Sequence, residues 1–173
     1  MSEKQKITIK RPKIGFMNLI IEGVTELISN RKPEGLDFGP GSKDKTNLKE
    51  KKLSPEEQYL RSLHPVPDQE EKYGFPASGF KKSAVSAATG KGWWEDTTVI
   101  NGKKFKGSVF VLGDIIPIEG DIRMRTDDGR RPPKTGAPCK IYRASFAKGW
   151  KAILTIRFNA SLMNPDEIVA VFD

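Results

Sequence analysis

The 173-residue chain holds one cysteine and one histidine. Cys139 therefore has no partner for an intramolecular disulfide, and neither a Cys-based nor a His-based zinc site can be assembled within one chain. Flanked by Pro138 and Lys140, Cys139 reads as an incidental thiol rather than a nucleophile. His64 stands between Leu63 and Pro65 with no nucleophile near it in sequence, so it reads as a helix-end residue rather than a general base. No Gly-x-x-x-x-Gly-Lys spacing is present, which leaves Walker-type nucleotide hydrolysis without support. No apolar run approaches the roughly 18 residues of a membrane helix, and the start Met1-Ser2-Glu3-Lys4-Gln5-Lys6 is too polar for a secretory signal. The simplest location is the cytoplasm or a particle assembled there. Apolar residues are scarce as well, at 36% with a mean hydropathy of −0.51. Part of the chain is thus expected to lie outside a core of roughly 100 residues.

What the chain does have is positive charge and turn formers. Its formal charge is +8, and such an excess attracts polyanions by releasing their counterions, whatever the base sequence. Acidic proteins and lipid headgroups are attracted too. Sixteen glycines and twelve prolines point to many turns and long loops. A single domain over residues 1–173 is expected, with two excursions. Residues 32–57 set Lys43, Lys45, Lys49, Lys51 and Lys52 among acids and glycines, the composition of a mobile loop or arm. Residues 121–149 form a basic flap; from Arg123 to Arg143 it carries Arg123, Arg125, Arg130, Arg131, Lys134, Lys140 and Arg143, opposed only by Asp127 and Asp128. Pro132, Pro133 and Pro138 are expected to keep that flap from regular structure.

Between these excursions the patterning is clearer. Lys6 to Lys10 alternates like an edge strand or arm, and Ile14 to Ile21 reads as the first central strand. Val24 to Arg31 suits either a short helix or a turn. Ser54-Pro55-Glu56-Glu57 has the cap, proline and acid order of a helix start, predicting a helix from Pro55 to Leu63. A second helix opens at Pro76 or Ser78, with Phe80, Ala84, Ala87 and Ala88 on one face. Phe105, Val109, Val111, Ile115, Ile116 and Ile118 mark strands on either side of Gly113-Asp114, closed by Glu119-Gly120-Asp121. Trp150 to Phe158 is a strong strand, with Trp150 read as core packing, and Asn164-Pro165-Asp166-Glu167 begins a last helix. The order is strand, helix, strand, strand, helix. That predicts an α+β, ferredoxin-like or RRM-like βαββα(β) core with the last strand missing.

Four blocks of the chain resemble uncharacterised proteins of tailed bacteriophages. They are Ile20 to Arg31, the helix start Pro76 to Ala84, the segment Val111 to Gly120, read as a hairpin, and the strand Trp150 to Asn159, about half the chain together. More distantly, a helix entered through Pro-x-Ser-x-x-Lys is similar to the entry motif of the RAMP-type RNA-binding backbone subunits of CRISPR complexes. That resemblance implies an RRM-like core with long flaps that hold an RNA backbone, in the cytoplasm of an infected bacterial host or in a virion. Such proteins continue into a Gly-rich segment and a last strand, which this chain lacks, so it resembles a shortened or divergent member.

Three sets of residues are candidates for contact with RNA or single-stranded DNA. Lys81 and Lys82 lie just inside a helix start at Ser78 that can receive a phosphate; an ordinary cap with two solvated lysines is the alternative. Arg123, Arg125, Arg130 and Arg131 can each pair bidentately with phosphate, or belong to a solvated loop or an arm docked on a neighbouring subunit. Trp93 and Trp94, in a polar loop near Lys91, Lys103 and Lys104, can stack on bases or cover the core edge. No cofactor, metal or catalytic centre is implied, although a metal-dependent nuclease is the least strained enzymatic reading. The expected function is non-enzymatic nucleic-acid binding by a phage protein. The alternative is a structural or anti-defence protein that self-assembles or engages a host complex by strand exchange.

Overall fold

The computed structural model describes residues 11–31, 53–89, 102–130 and 138–173. The strand expected at Lys6–Lys10, Trp93, Trp94, Arg131 and residues 32–52 of the expected arm fall outside them. The chain is mixed α and β, with small antiparallel sheets. It divides into two compact units. The first comprises Met1–Leu19, Ala77–Gly113 and Leu154–Asp173, and the second Ile20–Pro76 and Asp114–Ile153.

A three-stranded sheet has the order β1-β9-β5, where β1 is Ile14–Glu22, β5 is Val109–Val111 and β9 is Lys151–Asn159; β5, Ile14–Leu19 of β1 and Leu154–Asn159 of β9 fall in the first unit. β9 is the central strand, so β1 lies at an edge of this sheet rather than in its middle as its apolar run suggests. Leu154, Ile156 and Phe158 alternate with exposed Thr155 and Arg157, the period of a half-buried strand. Each fully buried side chain of this kind stabilises by roughly 1.5–3 kcal/mol. Gly15 on β1 lacks a side chain where the Phe158 ring lies against the backbone. On the buried side, α2 (Ala77–Thr89) meets α3 (Gly102–Ser108), α4 (Pro165–Phe172) and β5. The buried face of α2 is Ala77, Phe80, Ala84 and Ala88; Ala87 is exposed, because the face drifts along the i+4 row. α4 starts where expected, in a capping box in which Asn164 Oδ1 accepts from Glu167 N and Glu167 returns a carboxylate oxygen to Asn164 N. Two strand expectations are corrected here. Phe105 belongs to α3, where it is fully buried, since Gly102–Ser108 closes a helical turn before β5 begins.

The second correction concerns Gly113-Asp114, which does not join a hairpin. β5 pairs with β9, whereas β6 (Ile115–Pro117) pairs with β4 (Tyr73–Pro76) in the second unit. There β4 lies between β6 and β3 (His64–Pro65). The other sheet of the second unit has the order β2-β8-β7: β2 is Leu27–Ile28, β7 is Ile122–Arg130 and β8 is Pro138–Phe146. The segment expected to be irregular is thus largely a hairpin, paired from Ile122↔Phe146 to Arg130↔Pro138. Pro138 is tolerated because it opens its strand at the outermost pair, where little of the ladder needs its missing N–H. β2 also corrects the reading of Val24 to Arg31, which is neither a helix nor only a turn: a bend at Val24-Thr25 leads into a two-residue strand that pairs with β8.

A buried serine junction ties this sheet to α1 (Pro55–Ser62), itself capped by the Ser54–Glu57 box. Ser62 Oγ accepts from Ala144 N at 2.7 Å and donates to Tyr59 O at 2.7 Å. Ser29 Oγ donates to Ser62 O at 2.6 Å, and Ser29 N to Ala144 O at 2.8 Å. Ser62→Ala leaves the buried Ala144 N–H without its acceptor, an expected loss of about 1–3 kcal/mol. Urea unfolding of the variant checks this, and a change under about 0.5 kcal/mol, the scatter of ordinary surface substitutions, would remove the junction from the account.

Candidate nucleic-acid interface

The outward face of the first unit's sheet gathers side chains from three strands. Ala160 N donates to Lys13 O at 2.8 Å, and the Thr155 hydroxyl bonds Asn18 Oδ1 at 3.1 Å. These contacts set an antiparallel register in which Phe16 of β1 faces Arg157 of β9. On the other side of β9, Phe110 is the register partner of Arg157. Phe16, Arg157 and Phe110 therefore form one row across the sheet, since direct partners in a ladder share a face. The row is accessible: Phe16 is 65% exposed and Phe110 37%.

Lys81, in the second turn of α2, reaches the same place. Its Nζ lies 4.0 Å from the Phe110 ring centroid, and the Arg157 Cζ lies 5.1 Å from it. Burial, and then the charge of nearby Lys106, hold the Lys81 ammonium below its ordinary pKa. A shallow cleft of about 290 Å³ adjoins the row, lined in part by Ile14, Ser108, Phe110, Arg157 and Asn159. Chemically the face offers flat apolar rings, a planar guanidinium and two ammonium groups, which suits bases and phosphates.

Of the residues singled out in the sequence, Lys81 belongs to this cluster, and Lys82 is exposed beside it on α2. Ser78 falls in the first turn of α2 rather than at its cap, because Ala77 already begins the helix. Arg123 and Arg125 lie on β7 in the second unit, and Arg130 ends that strand. Arg125 is engaged: its Nε donates to Asp127 Oδ1 at 2.6 Å and its Nη1 pairs with Glu26. Arg143 lies 3.7 Å from the other oxygen of Asp127, too far for a hydrogen bond. Arg123 is exposed and only loosely associated with Asp121, at 3.7 Å. Glu26, distant in sequence, thus balances charge that the stretch from Arg123 to Arg143 opposes only with Asp127 and Asp128.

Phe16, Phe110, Lys106 and Arg157 were not legible as a site. Part of the signal was present, because the alternation of Leu154, Ile156 and Phe158 turns Arg157 outward. Trp150 is half-buried, its indole lying over Gly23 and its Nε1 donating to Thr25 O at 3.0 Å. Among the described residues, no group of three His, Cys, Asp or Glu side chains could hold a metal ion, and no helix is long and apolar enough to cross a membrane. No family model matches the chain, and no curated protein matches it.

His64 lies in β3, its ring edge-on to Phe75 with centroids 6.3 Å apart. Burial, and then the charge of Arg31, lower its pKa from 6.5. The unfolded chain therefore takes up the proton first as pH falls. The stability that the neutral ring confers is complete above pH 6.5 and is lost on acidification toward the folded-state pKa. His64→Gln is expected to lose less stability than the wild type between about pH 7.5 and about pH 5.5. Thermal melts of both proteins across that interval test it, and parallel curves would show that His64 does not report burial.

Proposed function

We propose that the chain is a non-enzymatic nucleic-acid-binding protein whose contact surface is the outward sheet face of the first unit. The observation that carries this reading is the exposed row Phe16–Arg157–Phe110 with Lys81 beside it. Aromatic rings stack on any base, and cations adjoining them meet the phosphates. The +8 charge supplies long-range attraction. Arg123 and Arg130 on the β7–β8 hairpin are secondary contacts, while Arg125 is mainly structural.

A ferredoxin-like core belongs to the same proposal. With α3 and the elements of the second unit set aside, β1, α2, β5, β9 and α4 run in chain order as β-α-β-β-α. The order β1-β9-β5 puts the later strand between the first two, the mark of a split βαβ arrangement. Kinship with phage proteins and with RAMP-type subunits is consistent with this order and is part of the proposal, as is the cytoplasm of an infected bacterium.

One observation favours a second reading. Among the described residues β1 is an edge strand, with Ile14 and Phe16 exposed, and Ile14 to Ile21 contains neither a charged residue nor a proline to discourage pairing. A second copy or a host protein could add a strand there. The two readings separate in one series of anisotropy titrations with single-stranded RNA and DNA at several salt concentrations. Phe16→Ala is expected to weaken binding about 5- to 100-fold, and Arg157→Ala to reduce the salt slope by about one. Wild-type binding in both variants would remove the sheet face as the contact. A stable oligomer that ignores oligonucleotides would favour strand addition.

A further inference from the structure

Two cations meet on one aromatic ring in the first unit, and a third lies close by. A phenyl face attracts a cation, but it does not offset the repulsion between two of them. Lys81 and Arg157 are nonetheless both held over Phe110, with Lys106 near enough to act on Lys81. Among the described residues none of these three cations has a carboxylate ion-pair partner. The contrast with the second unit is direct, because there Glu26 and Asp127 engage Arg125 and Asp121 approaches Arg123. Convergent positive charge that no described carboxylate balances is an arrangement that an anion completes. The adjoining cleft adds polar groups: Asn159 Oδ1 accepts from Ser161 N at 3.0 Å, which leaves the Asn159 amide as a donor.

We propose that Lys81 and Arg157, which meet on the Phe110 ring, form a binding site for a phosphate group, with Lys106 of the adjoining α3 adding positive charge. A guanidinium presents a planar fork of donors, and two ammonium groups add point charges, so the set suits a tetrahedral dianion better than a single carboxylate. The phosphate comes either from a nucleic-acid backbone or from a free phosphate compound. The proposal shares its sheet face with the nucleic-acid reading and deepens it by naming the phosphate locus.

The test is a heteronuclear NMR titration of the intact chain with inorganic pyrophosphate and, separately, with an oligothymidylate of about ten residues. Wild type is compared with Lys81→Gln, Lys106→Gln and Arg157→Gln, each first shown to melt like the wild type, and with Lys72→Gln in the second unit as a charge-matched control. The expected result is saturable shifts at Phe110 and Lys81, weakened about tenfold by Lys81→Gln or Arg157→Gln but not by Lys72→Gln. Seeing that pattern with pyrophosphate identifies a site that accepts free phosphates; seeing it only with the oligonucleotide assigns the site to backbone phosphate. Oligonucleotide binding that ignores all three substitutions overturns the phosphate site and leaves the nucleic-acid reading standing elsewhere on the chain. Failure of both ligands to bind overturns both.

Discussion

The register of β9 is the constraint on which the rest depends. As the central strand of its sheet it has neighbours on both sides and side chains on two faces. Leu154, Ile156 and Phe158 are buried, while Thr155 and Arg157 are exposed. A slip of one residue would exchange the two sets, driving Arg157 into the core and Leu154 and Ile156 into water. The loss of burial alone, at roughly 1.5–3 kcal/mol per side chain, is enough to forbid it. The same energetics that build the core therefore set Arg157 between Phe16 and Phe110. Gly15 contributes from the neighbouring strand by leaving room for the Phe158 ring. Packing on one face thus positions chemistry on the other.

Charge is distributed differently in the two units, and the difference matters more than the total. In the second unit Arg125 bridges Glu26 and Asp127, with Arg143 near the same carboxylate. Arg125 is satisfied within the fold, and a polyanion would have to displace carboxylates to reach it. In the first unit Lys81, Lys106 and Arg157 have no such described partners, and burial further disfavours the charged form of Lys81. A charge count over residues 121–149 includes Arg125, whose guanidinium is already engaged by Glu26 and Asp127. The same kind of count misses the cluster around Phe110, because its members lie on different elements.

Local signals in the sequence located elements well and pairings poorly. The Ser54–Glu57 and Asn164–Glu167 spacings mark helix starts because each box is closed within four residues. β9 is legible because period-2 alternation needs no knowledge of its neighbours. By contrast, β5 and β6 resemble two arms of one hairpin until tertiary pairing sends β5 to Val109↔Phe158 and β6 to Phe75↔Ile116. Of the prolines that argued against structure in residues 121–149, Pro132 and Pro133 fall in sequence between β7 and β8 and Pro138 opens β8, so none interrupts a strand. The candidate site was legible only in Lys81. Phe16, Phe110 and Arg157 are separated by tens of residues, and only the register brings them into a row. Each read alone is an ordinary strand residue.

The central claim is that ligand meets the first unit's sheet face, and photochemical cross-linking to a single-stranded oligonucleotide, mapped by mass spectrometry, tests it most directly. The account predicts adducts on the peptides that carry Phe16 and Phe110, diminishing as salt is raised. Adducts confined to the β7–β8 hairpin, with none on those two peptides, would contradict it.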